Sequence, residues 1–393
     1  MNLTSDPNET LFSEFKIDPE VKICIVIPVK DEETYILKTL SAFVHQTDSE
    51  GQLFKREIFE ILVLANNCTD HTVALVKKFQ QENPSLPLYL KEITLPKSQS
   101  NIGYVRRILM NIACKRMTEN GNGFIMTTDG DTRVSNDWIA QNLNEFKNGA
   151  EAVGGRILLA EDELEFLDAN TAEIYFKDEE YRLLTARSEA EIFHTRKPGY
   201  SDHHQHFNGS FALTTELYSL SGGIPDVPHL EDCAFFDRLQ HFDAKIHHSS
   251  KVSVYTSARC AGRTDVGLSS QLQEWKAGQR LSSELPVISA ESILFHLKLK
   301  KSLQDLWNRK TASTIEFEEA LRQIIPSIEI SDADFKTYQT SIYFGTWFSN
   351  FVHQHQEKWG EKNNYEPIDH AISKLQKFIK DYSPPFFFQT SIR

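Results

Sequence analysis

Two carboxylates separated by a glycine, Asp129-Gly130-Asp131, are the residues of this sequence best suited to chemistry. At positions i and i+2, with no side chain between them, both can turn toward one point. Hard oxygen ligands on a loop suit Mg²⁺ or Mn²⁺, and a metal held by one or two carboxylates takes its other ligands from phosphates and water. The same residue types also make an ordinary solvated turn, so the setting has to decide. Residues 123–128, Gly-Phe-Ile-Met-Thr-Thr, read as a short buried strand running straight into Asp129, and Ser135 and Asn136 can open a helix beyond. In an open α/β sheet, ligands collect past the carboxyl ends of the strands. Both aspartates fall there.

The elements that must position them alternate. Residues 21–27 form a β-branched run stopped by Pro28, the pattern of a strand buried on both faces, and Lys30-Asp31-Glu32-Glu33 follows. A helix over 35–46 carries Ile36, Leu37, Leu40, Phe43 and Val44 at helical spacing. A second strand, 59–64, runs into Ala65-Asn66-Asn67-Cys68-Thr69-Asp70 and a helix, and a third covers 88–95. Asn101-Ile102-Gly103 opens a helix over 104–117, ahead of the strand that delivers Asp129. Strands alternating with helices of this length imply a parallel sheet with right-handed crossovers.

Beyond residue 135 the pattern changes. A helix at 138–147 leads to a strand at 152–159 that begins with a close backbone approach at Gly154-Gly155. A long charged helix covers 163–187, and 193–206 is irregular and rich in histidine (His194, His203, His204, His206). A short strand at 207–213 and a helix at 230–242, opened by Glu231 and Asp232, precede a last strand at 251–258; Arg259 and Arg263 follow it. From about 268 the chain is mostly helical, with a Phe344, Trp347, Phe348, Phe351 stripe that reads as core and a Pro384–Phe388 stretch that reads as a strap. The expected fold is therefore α/β, a mostly parallel central sheet flanked by helices, with a mainly helical C-terminal region. Residues 1–20 read as a polar lead-in, 21–265 as the sheet domain divided at 135, and 266–393 as the helical region.

Composition narrows the function. Against 42 basic residues stand 55 acidic ones, a formal charge of −13, which excludes general nucleic-acid binding. An anionic ligand has to be met locally, by a metal, helix N-termini or a few arginines. Five cysteines without regular spacing, and a first twenty residues lacking a basic-then-apolar signal, point to a reducing, cytoplasmic setting. No apolar run approaches the roughly 20 residues of a membrane helix, so no integral membrane segment is expected.

The order of motifs over roughly 21–265 resembles that of the nucleotide-sugar glycosyltransferases of family 2, whose Rossmann-like fold is called GT-A. Those enzymes open with Pro-Val-x-Asn-Glu-Glu, here Pro28-Val29-Lys30-Asp31-Glu32-Glu33. Their second strand ends in an Asp-Asp-Gly-Ser-Thr-Asp type sequence, here Ala65 to Asp70. An Asn-x-Gly with a basic residue on the next helix is matched by Asn101, Gly103, Arg106 and Arg107. Their Asp-x-Asp is Asp129-Gly130-Asp131, and the acceptor-side Glu-Asp pair is Glu231-Asp232.

The resemblance implies a donor nucleoside-diphosphate sugar, with base and ribose at Pro28, Lys30, Glu32 and Asn66. It implies diphosphate contacts from Asn101, Arg106 or Arg107; Arg259 and Arg263, placed after the last strand, can contact donor phosphate or an anionic acceptor, and Arg259 can equally pair with the acidic surface. Asp131 becomes the direct ligand of Mg²⁺ or Mn²⁺, and Asp129 touches ribose or a metal-bound water beside Gly130. His203, His204, His206 and His229 are the candidates for a third ligand. Asp232, with Glu231, matches the base that takes the acceptor's proton in an inverting transfer; acidic residues at a helix start also simply complement its dipole. Asp70 is read as a helix cap. Asn208-Gly209-Ser210 and Gly154-Gly155 would let the sugar approach the backbone. Processive relatives carry Gln-x-x-Arg-Trp, whereas Gln271-Leu272-Gln273-Glu274-Trp275 has glutamate in place of the arginine, which implies a single sugar added to a small or peripheral acceptor. A retaining transferase and a nucleotide-sugar-binding protein without turnover are the alternatives, and an oligomer is compatible with either.

Overall fold

The computed structural model describes residues 10–195, 203–260, 266–278, 281–311, 313–355 and 364–382. Strands β1 (Ile23–Val29) and β2 (Phe59–Asn66) are buried at every position. Their apolar runs are unbroken because both faces of the sheet are covered. Alternation along β1 divides one run between two cores. Ile23, Ile25 and Ile27 join Phe43, Val76 and Trp138 on one side; Cys24 and Val26 join Leu109, Leu217 and Phe235 on the other. The strand continues through Pro28, which sits in register with Leu64. Its expected stop is passed because proline removes only its own amide donor.

The sheet is completed by β3 (Leu88–Ile93), β4 (Phe124–Thr128), β5 (Thr132–Val134), β6 (Ala152–Leu159), β7 (Ser210–Thr214) and β8 (Ile246–Thr256). Its order is β3-β2-β1-β4-β7-β6-β8-β5. From β3 to β4 all neighbours are parallel, as expected. Then β7 runs antiparallel to both β4 and β6, and β5 antiparallel to β8, with β6 and β8 parallel. The fold is α/β, and the sheet is mixed. Because the chain leaves β1 for β2 on one side and comes back as β4 on the other, the crevice beyond β1 and β4 is a topological switch point.

Helices α1 (Ile36–Val44), α2 (Thr72–Glu82) and α4 (Trp138–Lys147) supply the first core, and α3 (Ile102–Glu119), α6 (Thr215–Ser221) and α7 (Glu231–His241) the second. The described end of the lead-in is anchored. Phe12 is fully buried in the second core, and Arg116 Nη1 donates to the carbonyls of Phe12 and Phe15 at 3.1 and 3.0 Å. One apolar anchor in a polar stretch leaves no periodicity to read.

The chain divides into two compact units, 1–167 with 205–239 and 244–273, and 168–204 with 240–243 and 274–393. The expected helix at 163–187 is instead a 3₁₀ turn, Glu161–Phe166, followed by α5 (Ala169–Phe193). Asp168 restarts the helix by accepting the Thr171 amide at 3.0 Å and its hydroxyl at 2.7 Å. Helix α5 groups with the second unit, where Tyr181 donates to the Ile288 carbonyl at 2.8 Å.

After α8 (Leu268–Gly278) come α9 (Ala290–Arg309), α10 (Thr314–Ile324), α11 (Asp332–Thr340), α12 (Phe344–His355) and α13 (Ile368–Tyr382), with a two-stranded ribbon of β9 (Pro286–Ile288) and β10 (Tyr365–Pro367). In α12 the stripe is core: Phe344, Trp347 and Phe351 pack with Trp307, Phe317 and Tyr338, and Phe348 lies against them. The Pro384–Phe388 stretch lies outside the described residues. No helix among the described residues is long and apolar enough to cross a membrane.

Candidate active site

The loops after β1 and β2 hold each other. Asp31 Oδ1 accepts the amides of Thr69 (2.6 Å) and Asp70 (3.3 Å). Asp70 Oδ2 accepts that of Glu33 (3.0 Å) and its Oδ1 that of Thr72 (2.9 Å). Asp70 therefore serves the start of α2 and ties the two loops together. Asp31 and Asn67 both take the left-handed conformation, at φ 51° and 50°, which residues other than glycine adopt only where the surroundings hold them. Of the residues expected on the nucleotide, Pro28 is enclosed in β1 and Asn66 is 2 % exposed, because β2 runs on to include it. Lys30 is half-buried.

The Asp129-Gly130-Asp131 loop packs directly on β1. A Cβ on Gly130 would lie 2.8 Å from Val29 Cγ1 and 3.0 Å from Glu32 Cγ, and the Gly130 carbonyl accepts from Thr39 Oγ1 of α1 at 2.9 Å. The two aspartates are met by different arginines. Asp129 Oδ1 is paired with Arg106 Nη2. Asp131 Oδ2 accepts from Arg259 Nη2 and from Ser257 Oγ, each at 2.9 Å; its Oδ1 has Thr132 Oγ1 at 3.3 Å. Arg259 also forks onto Glu32, at 2.9 and 3.2 Å, and lies 5.8 Å from the Tyr35 ring.

Arg106 reaches α7 as well: its Nη1 donates to Glu231 Oε1 at 2.6 Å. Glu231 opens α7, and Gly103 makes room for it, since a Cβ there would come 3.1 Å from Glu231 Cβ. Each of the three α3 residues expected on the diphosphate has a protein partner in this structure. Asn101 caps the helix, accepting the Tyr104 amide at 2.8 Å. Arg106 is 4 % exposed inside an ion-pair chain. Arg107, rotated by about 100° along the helix, turns to Asp226 at 3.2 Å and to the Tyr104 ring. Asp232 is half-buried and accepts the Cys233 amide at 2.8 Å. Burial, opposed by Arg106 and reinforced by Asp131, Glu231 and Asp232, pushes Asp129 up to about 6. The three other carboxylates act on Asp129 through their charge.

The glycines expected to admit a sugar are filled by the chain itself: a Cβ at Gly154 would strike the Gln205 carbonyl, and one at Gly155 the Ser210 hydroxyl. Gly209 faces Asp129, with its Cβ position 3.1 Å from Oδ2. Before it, Asn208 is 1 % exposed, and neither end of its amide meets a protein partner. Among the described residues no third histidine, cysteine or carboxylate joins Asp129 and Asp131. His203 is buried, His204 half-buried and His229 exposed, while His206 stacks on Phe236 at 3.8 Å. The grouping that does occur, Asp31, Cys68 and Asp70, has carboxylates already engaged by backbone amides. Arg263 lies outside the described residues. Ser257 and Thr132, which orient Asp131, leave no signal in sequence because single hydroxyl residues are everywhere.

Residues 24–209 match the family described as Glycosyl transferase family 2. No characterised protein sequence matches the chain closely enough to count as a relative. Among solved structures it is similar to S. aureus TarS 1–349 in complex with UDP-GlcNAc, at 15 % identity over 86 % of this chain and 78 % of that one, with a TM-score of 0.43. It is similar also to mannosyltransferase PcManGT from Pyrobaculum calidifontis in complex with GDP-Man and Mn²⁺, at 14 % identity over 93 % and 88 %, with a TM-score of 0.43. Superpositions this loose carry no argument about what the present chain binds.

Proposed function

Because residues 24–209 belong to glycosyl transferase family 2 and the chain is accordingly a glycosyltransferase, we propose that it moves a single sugar from a nucleoside-diphosphate sugar to an acceptor hydroxyl, with inversion. In this reading Asp232 takes the hydroxyl proton as the oxygen attacks the anomeric carbon; the bond to the diphosphate breaks and the nucleoside diphosphate leaves. Residues 21–135 serve the donor and 136–265 the acceptor, which is small or peripheral.

The observation that carries the reading is the chain Glu231–Arg106–Asp129. It joins the helix start bearing Asp232 to the loop bearing Asp129 and Asp131, so one buried cation sets the distance between the two reacting sides. It also divides the Glu-Asp pair. Glu231 is 6 % exposed and engaged by Arg106, whereas Asp232 is half-buried. Asp232 is the one left to move a proton.

The donor atoms fit Mg²⁺ or Mn²⁺. They are hard oxygens, and among the described residues Asp131 Oδ1 has one long contact and no third protein ligand stands with the pair. A hard cation on one or two carboxylates completes its shell from phosphate and water. Asp131 and Asp129 would hold it, and when bound it supplies positive charge for the departing diphosphate.

Transfer from a radiolabelled donor is the test. Wild-type protein should release nucleoside diphosphate with a divalent ion and stop in chelator. Asp232→Asn should bind the nucleotide yet lose turnover; full turnover by that variant would sink the assignment of the base.

A further inference from the structure

Each acidic residue of Asp129-Gly130-Asp131 meets a protein guanidinium, but the two arginines are held differently. Arg106 is 4 % exposed and locked between two carboxylates, one on each Nη. Arg259 is 22 % exposed and touches three oxygens, both of Glu32 at 2.9 and 3.2 Å and only one of Asp131, at 2.9 Å. The two-pronged fork on Glu32 is the stronger attachment. Arg259 can give up Asp131 and stay moored.

We propose that Arg259 is a built-in counter-cation that sets when the site takes a metal: it neutralises Asp131, so that a divalent ion binds there tightly only together with a nucleoside diphosphate. This rests on the metal reading above and adds a residue that controls it. A guanidinium and a divalent ion on one carboxylate are like charges sharing one partner. At the effective dielectric of a partly enclosed pair, their repulsion is worth roughly tenfold or more in metal affinity. The phosphates of the donor bring the negative charge that offsets it. Ser257 keeps its hydrogen bond to Asp131 Oδ2 throughout, so the carboxylate stays aimed while its cation changes. Order of binding follows from charge balance, with no rearrangement of the backbone.

The experiment titrates Mn²⁺, followed by its EPR signal, into wild type, Arg259→Gln and Arg259→Lys, alone and with UDP or GDP. Without nucleotide, Arg259→Gln should bind Mn²⁺ about tenfold or more tightly than wild type, and nucleotide should improve its affinity less. Arg259→Lys keeps the charge and should stay near wild type. Glu32→Gln, which leaves Arg259 to Asp131 alone, should weaken Mn²⁺ several-fold; it is the deciding variant if Arg259→Gln does not fold, and unchanged or tighter binding by it then overturns the proposal. If Arg259→Gln binds Mn²⁺ no more tightly than wild type while Asp131→Ala loses it, Arg259 is not a competitor and the metal site stands. If Mn²⁺ binds neither wild type nor Arg259→Gln, with or without nucleotide, the metal reading fails and this proposal fails with it.

Discussion

Arg106 Nη1 lies 2.6 Å from Glu231 Oε1, between side chains 4 % and 8 % exposed. The same guanidinium holds Asp129. A residue on α3 thus joins the proposed donor loop to the proposed acceptor helix, and its removal should be felt in both stability and turnover.

Arg106→Met would leave Glu231 buried without its cation. Breaking such a pair costs about 3–5 kcal/mol. The Asp129 half adds little to that figure, since its side chain is 37 % exposed and solvent screens it. Urea denaturation of the variant against wild type measures the loss, and an unchanged midpoint would show that the pair does not support the fold.

Asp232→Asn should lower kcat by about 10²- to 10⁴-fold while nucleotide affinity stays within a few-fold of wild type. Glu231→Gln should act the other way round, costing about 1–3 kcal/mol of stability through the weakened Arg106 contact and less of kcat. Steady-state kinetics on both variants separates the two; the reverse order would make Glu231 the base.

Acid should destabilise the protein through His248. Burial first, then His206 and His247, lower its imidazole from the ordinary 6.5 to about 4. Below 6.5 the unfolded chain takes up a proton that the folded one refuses, so stability present above that pH is lost as pH falls toward 4. The loss amounts to about 2–3 kcal/mol. His248→Phe keeps a ring near Phe236 and should flatten this part of the stability profile. Asp129 works with the opposite sign: its pKa is raised from 3.8 to about 6, so its ionisation weakens the fold as pH rises through that range. Asp129→Asn in chelator should therefore gain on wild type between about pH 4 and pH 7, by a small amount because solvent reaches a side chain that is 37 % exposed. Thermal melts across that range decide both.

Gly130→Ala should cost about 1–3 kcal/mol by overpacking, because its Cβ would sit 2.8 Å from Val29 at the buried end of β1 and 3.0 Å from Glu32. Gly209→Ala meets Asp129 Oδ2 at 3.1 Å, a side-chain atom able to shift. It should melt near wild type and bind Mn²⁺ with nucleotide more weakly. Calorimetry on the two variants checks the contrast.

Much of this molecule is decided locally and was open to reading. Unbroken apolar runs such as 23–27 and 59–64 mark strands covered on both faces, and a strand running into Asp129 delivers that carboxylate to the sheet's open edge whatever the rest does. Glu231 and Asp232 likewise open a helix because the residues after them repeat at helical spacing. Periodicity is a property of neighbours along the chain, so these features survive without knowledge of the fold.

The partners of those carboxylates are another matter. Arg106 and Arg107 are adjacent and chemically identical, yet one is buried against Glu231 and Asp129 and the other turns to Asp226. The choice depends on how α3 is rotated against the sheet, which packing of its apolar face sets. Arg259 meets Asp131 across 128 positions and Glu32 across 227, distances over which only the pairing of β8 with β5 and of β1 with β4 can act. Asn66 is buried because β2 runs on to include it, and α5 joins the C-terminal helices because its apolar face fits them. The amino-acid sequence alone determined which groups stand at the ends of strands and helices. Tertiary structure decided which of them meet, because burying a charge is tolerable only beside its opposite, and that opposite comes from a distant part of the chain.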